Sequence, residues 1–327
     1  MNQQIIFSQQ PADLILVLSR YEEDFEVVEK TVIICINVKN NYRFLESLNL
    51  KNVELFFIHQ PSYPRFYNPL SIIRAKRNIF NIKKKYLEKM QNNNIYYFAK
   101  GNDWLTAGLI YYLLQNNNVF FSPAIKFDLE ESIQNIKNKL ISIIFSYITK
   151  MDSNLIRSKN HQFMYFDDKR IQNTEQAVLD LSKYLFKVSE KKKSILFLDS
   201  DLSSYNLIKE FENSTYRVLE AFKKLGYKIY LKAHPRLGCT KGIEPLVEEI
   251  LPDYIPAEFI DVDSFDYVVG ILSNGLSTLS QSHVNIVSII DIFTFVDEKE
   301  QKERKKKLFL DSNKKLRFIT SVNQLTN

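Results

Sequence analysis

The chain has 327 residues, enough for two domains, and 45% of them are apolar, so it can bury a sizeable core; this excludes a globally disordered protein. Its 44 basic and 38 acidic residues leave a net charge of +6, which suits an anionic small ligand or an anionic membrane face and gives no reason to expect nucleic acid. Two cysteines, Cys35 and Cys239, provide neither a disulfide framework nor a zinc spacing, and no apolar run approaches the ~20 residues of a membrane span.

That cysteine usage makes a reducing cytosol the expected location, and the opening stretch MNQQIIFSQQPADL lacks the basic segment and long apolar core of a signal peptide. Asp13–Ser19 (DLILVLS) is a short continuous apolar run and is predicted to be a buried parallel strand, as are Thr31–Asn37 (TVIICIN) and Val53–His59 (VELFFIH). NNYRFLESL between them suits a helix, Pro61 and Pro64 break the chain, and Ser71 to Met90 reads as a long basic helix. A strand at Ile95–Ala99, a helix at Trp104–Gln115, a strand at Val119–Ser122 and a helix at Asp128–Ile148 continue the alternation. Such alternation predicts a mostly parallel sheet covered on both faces.

The polar stretch Lys150 to Asn160 is the first place to divide the chain, giving an N-terminal domain of residues 1–155 and a C-terminal domain of residues 156–327. The second half repeats the pattern. Strands are expected at Phe163–Phe166, Ser194–Asp199, Tyr267–Leu272 and Ile286–Ile290, and helices at Thr174–Lys187, Leu207–Leu225 and Ile243–Ile250. The expected fold class is α/β, with two Rossmann-like domains facing a cleft, the usual place for a ligand that spans both.

The most informative stretch is YKIYLKAHPR, Tyr227 to Arg236. Its period-two pattern predicts a strand, Gly226 ends the helix before it, and Pro235 stops it. His234 should then sit where the chain leaves the sheet, the edge at which open α/β sheets bind ligands, with Lys232 and Arg236 beside it to suit an anion. Further along, Glu258 follows Pro256 and Ala257 in a non-helical approach, and its carboxylate can accept hydrogen bonds from ribose hydroxyls. The turn GILSNGLSTLS, beginning at Gly270, offers Ser273, Asn274, Ser277 and Thr278 at a strand end, where hydroxyls and helix N–H groups suit a phosphate; serines here also serve as ordinary helix caps. Together these pieces describe a nucleotide site. If a nucleoside monophosphate leaves, His234 as imidazolium beside Lys232 can protonate its oxygen, an effect worth on the order of 10²–10⁴-fold. In FLDSD, Asp199 and Asp201 stand two apart, the spacing of a magnesium pair. Fixed protein donors can do the same work, so a metal-free site without a cofactor is expected.

LKAHPR, IPAEFI and GILSNGLST, in this order and spacing, resemble the bacterial GT-B sialyltransferases. Glycosyltransferase family 52, the lipooligosaccharide sialyltransferases, is the nearest resemblance, with the bacterial polysialyltransferases as cousins. The resemblance covers mainly Ser194 to Ile290. It implies a GT-B enzyme that transfers sialic acid from a CMP-sialic acid donor by an inverting single displacement. His234 would be the acid towards the phosphate, Glu258 would hold the ribose, Ser273, Asn274, Ser277 and Thr278 the phosphate, and Lys232 would line the nucleotide pocket. It also implies a galactose or hexosamine acceptor on a lipid-linked surface glycan (lipopolysaccharide, O-antigen or capsule), bound in the N-terminal half, and it allows a homodimer.

Two features depart from that pattern. The family's acidic motif before glycine is absent, its place reading Phe120–Ile125 (FFSPAI), so the general base is assigned to Asp201, with Glu210 and Asp103 behind it. Asn274 stands where a second Ser or Thr is usual. These departures leave room for another CMP-linked acidic sugar. CDP-glycerol-type polyol phosphotransferases also carry Lys-x-His-Pro and a later serine turn, and remain the enzymatic alternative. A non-enzymatic binder of anionic polymer would use the basic runs Arg74–Lys89 and Lys302–Arg317, which would equally suit peripheral attachment to an anionic membrane.

Overall fold

In the computed structural model the chain divides into two compact units, residues 1–180 and 181–327. The structure describes residues 3–11, 13–59, 68–88, 90–98, 109, 112–113, 116–121, 143–144, 146–148, 156–159, 163–166, 171–173, 180–188, 193–200, 206–234, 237–273, 275–279 and 283–325.

The first unit begins with β1 (Gln3–Ser8), α1 (Asp13–Asp24), β2 (Lys30–Ile36), α2 (Lys39–Ser47), β3 (Val53–Ile58) and α3 (Pro69–Ile82), which runs on as a π-turn over Lys83–Leu87. Then come β4 (Asn94–Tyr97), β5 (Asn118–Phe121), an antiparallel hairpin of β6 (Ile156–Lys159) and β7 (Phe163–Phe166), and β8 (Ile171–Asn173). Six of these strands form one parallel sheet in the order β3-β2-β1-β4-β5-β8. Alternate residues of the strands, among them Ile5, Phe7, Val32, Ile34, Ile95 and Tyr97, form a core with Ala75, Ile79 and Leu87. Because β8 joins this sheet, the first unit extends past residue 155 to Asp180.

One predicted strand is a helix. Asp13–Ser19 lies in α1, and the first strand is β1, just before it. Asp13 Oδ2 accepts the backbone N–H groups of Gln9 and Gln10 at 2.7 and 2.9 Å, which fixes the turn at the start of the helix. Leu14, Val17, Leu18 and Tyr21 are buried at helical spacing, so a seven-residue apolar run that fits either period serves the longer one. The predicted helices Trp104–Gln115 and Asp128–Ile148 lie largely outside the described residues.

The second unit opens with a 3₁₀ turn, Leu181–Tyr184, within the stretch predicted as the helix Thr174–Lys187; Phe186 just beyond it is extended and bridges to Ile260. It continues with β9 (Ser194–Leu198), α4 (Phe211–Lys224), β10 (Lys228–Lys232), β11 (Glu249–Ile250), β12 (Tyr267–Gly270), α5 (Gly275–Thr278), β13 (Asn285–Ser288), α6 (Arg304–Ser312) and β14 (Arg317–Phe318). The sheet is parallel, in the order β11-β10-β9-β12-β13-β14. Ile243–Ile250 is not a helix: a 3₁₀ turn at Glu244–Leu246 contains Pro245, and the chain then extends into β11. Both sheets share the doubly wound arrangement in which the first strand is central and later strands are added outward on either side. The expected fold class, two α/β Rossmann-like units, is the one observed.

Candidate functional site

The second sheet places its sequence motifs at one edge. β9 is central, with β10 on one side and β12 on the other, so the strand order reverses around it. Ligands of open α/β sheets bind outside the carboxyl ends of strands at such a switch point. Asp199 follows β9, Lys232 ends β10 with His234 two residues on, and Ser273 follows β12.

Lys232 is almost fully buried. Its ammonium donates to the carbonyl oxygens of Ala233 at 2.9 Å and Asp253 at 3.2 Å. Burial pushes its pKa down to about 8, against the opposing pull of the Asp253 and Glu258 carboxylates. That coupling puts Glu258 in the electrostatic neighbourhood of the β10 end. Glu258 lies half-buried on a 3₁₀ turn, Ala257–Phe259, held by the extended Pro256 before it and the buried Phe259 within it.

His234 sits in a tight loop. Its backbone N–H and C=O both bond to Gly238, at 3.1 and 2.9 Å, and Gly238 takes a φ of +74°, which favours glycine. The N–H of Leu237 donates to His234 Nδ1 at 3.1 Å. Nδ1 is thus engaged as an acceptor, and the neutral ring carries its proton on Nε2.

This loop is tied to the sheet by a group that the sequence suggested for another purpose. Asp199 is almost fully buried. Its carboxylate accepts the backbone N–H of Thr240 at 2.6 Å, the Thr240 hydroxyl at 2.9 Å and the N–H of Ser200 at 2.8 Å. Its oxygens therefore brace the segment after His234. Among the described residues no group of three or more His, Cys, Asp and Glu is arranged to hold a metal ion. Thr240 carried no sequence signal; only the need of a buried carboxylate for donors pointed to a partner.

The serine turn packs against these pieces. A Cβ on Gly275 would lie 2.9 Å from Leu198 Cδ1 and 3.2 Å from the Ala257 Cβ, so the turn, the end of β9 and the residue next to Glu258 meet there. Ser273 Oγ accepts the N–H of Gly275 at 3.3 Å. Gly270 is a spacer beneath the turn, since a Cβ there would meet the Leu198 carbonyl and Leu276, each at 3.2 Å. Buried Asn313, after α6, donates to the Leu276 carbonyl at 2.7 Å and secures α5, another role without a sequence signal. Ser277 and Thr278 lie on α5, and only their backbone is described. Pro235, Arg236, Asn274, Asp201 and Asp103 lie outside the described residues. Glu210 is exposed at the N-terminus of α4, in the left-handed region.

A cavity of about 490 Å³ opens at the opposite edge of this sheet, lined by Lys193, Tyr227, Asp263, Asp266 and His283 among others. Its carboxylates are already bonded, Asp266 to the Ser194 N–H and Asp263 to the His283 N–H. In the first unit, a cavity of about 330 Å³ lies at the carboxyl end of β3, lined by Phe57, His59, Asn78, Asn81 and Lys85 among others.

A cluster of lysine, histidine and glutamate at the carboxyl edge of a doubly wound sheet defines a candidate site for an anionic nucleotide. The family model for alpha-2,8-polysialyltransferase (POLYST) matches residues 17–285, most of the chain. The chain belongs to the alpha-2,8-polysialyltransferase family and is a glycosyltransferase; of the two families it resembles in sequence, this is the one whose model matches. No curated protein sequence matches. Among solved structures, E. coli ADP-heptose lps heptosyltransferase II is similar at 9% identity and a TM-score of 0.40, over 98% of this chain and 90% of that one. The glycotransferase of kitacinnamycin is similar at 11% identity and a TM-score of 0.45, over 97% of this chain and 86% of that one. A putative UDP-N-acetylglucosamine 2-epimerase from Listeria monocytogenes is similar at 9% identity and a TM-score of 0.44, over 99% and 85%.

Proposed function

We propose that this chain is an inverting, metal-independent sialyltransferase that moves sialic acid from CMP-sialic acid to the terminal sugar of a bacterial surface glycan. The observation that carries the reading is that the end of β10 carries the buried Lys232 ammonium and, two residues on, a His234 ring whose Nδ1 accepts from the Leu237 N–H. In this reading Lys232 supplies positive charge and His234 an Nε2–H donor to the leaving phosphate as it develops charge. Glu258 accepts from the ribose of the same nucleotide, and the Ser273 turn faces its phosphate. The engagement of Asp199 by Thr240 supports charge neutralisation by Lys232 and His234 in place of a metal. Asp201 is retained as the general base.

The acceptor is assigned to the first unit. The cavity at the carboxyl end of β3 offers amide and imidazole groups for sugar hydroxyls, an aromatic face from Phe57, and the Lys85 ammonium for a carboxylate. The family's name favours a sialic acid terminus, where the resemblance to glycosyltransferase family 52 implied galactose or hexosamine.

The test is release of CMP from CMP-sialic acid in the presence of EDTA, with galactose-terminated and sialylated oligosaccharides as acceptors. Acceptor-dependent release, reduced on the order of 10²–10⁴-fold by His234→Ala without a change in folding, is the expected result. Release that needs a divalent cation, or a donor preference for UDP-, GDP- or CDP-linked compounds, would overturn the assignment. So would an unchanged rate in His234→Ala.

A further inference from the structure

Both basic runs in the sequence carry exposed cations, and in the first these lie among several large apolar side chains that are more than half exposed. In the second, Lys302 and Lys306 are only slightly exposed and pair with Asp291, and Lys302 also reaches Glu298. Those two charges are satisfied within the fold, while Arg304, Lys305 and Lys307 of the same run are exposed. In the first, α3 buries Ala75 and Ile79 in the core and turns Asn78, Asn81 and Lys85 to the cavity beside β3. Its remaining stripe, at positions 70, 73, 77, 80 and 84, faces solvent. There Leu70, Ile73 and Phe80 are each more than half exposed, with Arg74, Arg77 and Lys84 among them. None of these three cations is ion-paired among the described residues.

The patch continues onto a second segment of the same unit, residues 143–148. Lys76 Nζ lies 3.6 Å from the centre of the Tyr147 ring, and Tyr147 and Ile143 are also more than half exposed. Five large apolar side chains thus share a surface with several cations. An isolated exposed leucine needs no explanation, but a contiguous apolar patch threaded with lysine and arginine does. Aliphatic and aromatic groups interleaved with unpaired cations have the chemistry of a helix lying in the plane of an anionic bilayer. Among the described residues no helix is long and apolar enough to cross a membrane, so the contact would be in-plane.

The geometry points to the exposed face of α3, extended by Ile143 and Tyr147, as a docking surface for an anionic lipid bilayer. This inference does not rest on the nucleotide site, which is in the other unit. It also places the cavity beside β3 on the adjacent flank of the same helix, where a lipid-linked substrate would be presented.

The test is co-sedimentation of the full chain with phosphatidylcholine vesicles, with and without phosphatidylglycerol. Binding to the anionic vesicles alone, weakening as salt rises, is expected. Replacing Arg74, Arg77 and Lys84 by Gln should weaken it ~10²-fold, from the attraction of three charges. Leu70→Ser with Ile73→Ser and Phe80→Ser should abolish it while the thermal unfolding profile is kept, and Phe80→Ser alone should weaken it if the triple variant does not fold. No binding to anionic vesicles, equal binding to neutral ones, or unchanged binding in these variants would overturn the inference. So would self-association of the wild-type chain, without lipid, that the apolar variants lose, since the patch would then join copies of this chain.

Discussion

At the scale of single residues, two buried charges carry the candidate site and respond differently to change. Lys232 has a pKa of about 8 in the folded chain, below the 10.5 of an ordinary lysine, because burial disfavours its charge. Between about pH 8 and pH 10.5 the unfolded chain therefore binds more protons than the folded one. The contribution of this residue to stability rises with pH across that window, by at most ~1 kcal/mol per pH unit, and below it the cost of burying the ammonium is fully present. Urea unfolding at about pH 7.5 and about pH 9.5 should show this rise in the wild type and its loss in Lys232→Met. Asp199 acts in the opposite sense, since its charge is compensated by three donors. Asp199→Asn turns one acceptor into a donor facing Thr240 and should destabilise by ~1–3 kcal/mol. Because Thr240 anchors the segment after His234, the same variant should lower turnover more than it weakens CMP binding. If activity and stability were both unchanged, the bracing role would be wrong.

At the scale of elements, the contact between the serine turn, the end of β9 and the Ala257–Phe259 turn is the vulnerable point. Gly275→Ala would set a methyl group 2.9 Å from Leu198 and 3.2 Å from Ala257, and one turn must move away. The expected outcome is a loss of ~1–3 kcal/mol in stability together with weaker nucleotide binding, read by thermal unfolding with and without CMP. Elements also decided what the sequence could reveal. KIYLK and VELFFI were legible because a parallel strand covered on both faces needs little beyond short β-prone apolar runs. DLILVLS satisfied the same rule and is a helix, because its seven residues are too few to separate the two periods and the N-terminal turn made by Asp13 is read only once Gln9 and Gln10 are seen to donate to it. The positions of Lys232 and His234 followed from the strand they end. The partners that hold them, Leu237, Asp253 and Thr240, could not be read, because each acts through a backbone group or a short hydroxyl that carries no pattern.

At the scale of the whole molecule, each unit has its own hydrophobic core, one built on β1 to β5 and the other on β9, β10, β12 and β13. Units of this kind unfold as separate cooperative blocks. Calorimetry should resolve two transitions, and CMP at a hundred times its dissociation constant should add ~2.7 kcal/mol to the block containing residues 181–327 and leave the other in place. A single transition would mean that the two units unfold as one block, and a shift in the block of residues 1–180 alone would move the nucleotide site out of the second unit. The strand order has a further consequence for synthesis. In both sheets the strand made first is central, and those made later are added at a free edge, so no strand has to be inserted between two already paired. A ribosome delivering this chain N-terminus first supplies each sheet from the middle outward. The first sheet stays open along its β5 edge until residues 171–173 emerge, and this late, exposed edge is where a slowed or truncated chain would be most prone to pair with another copy.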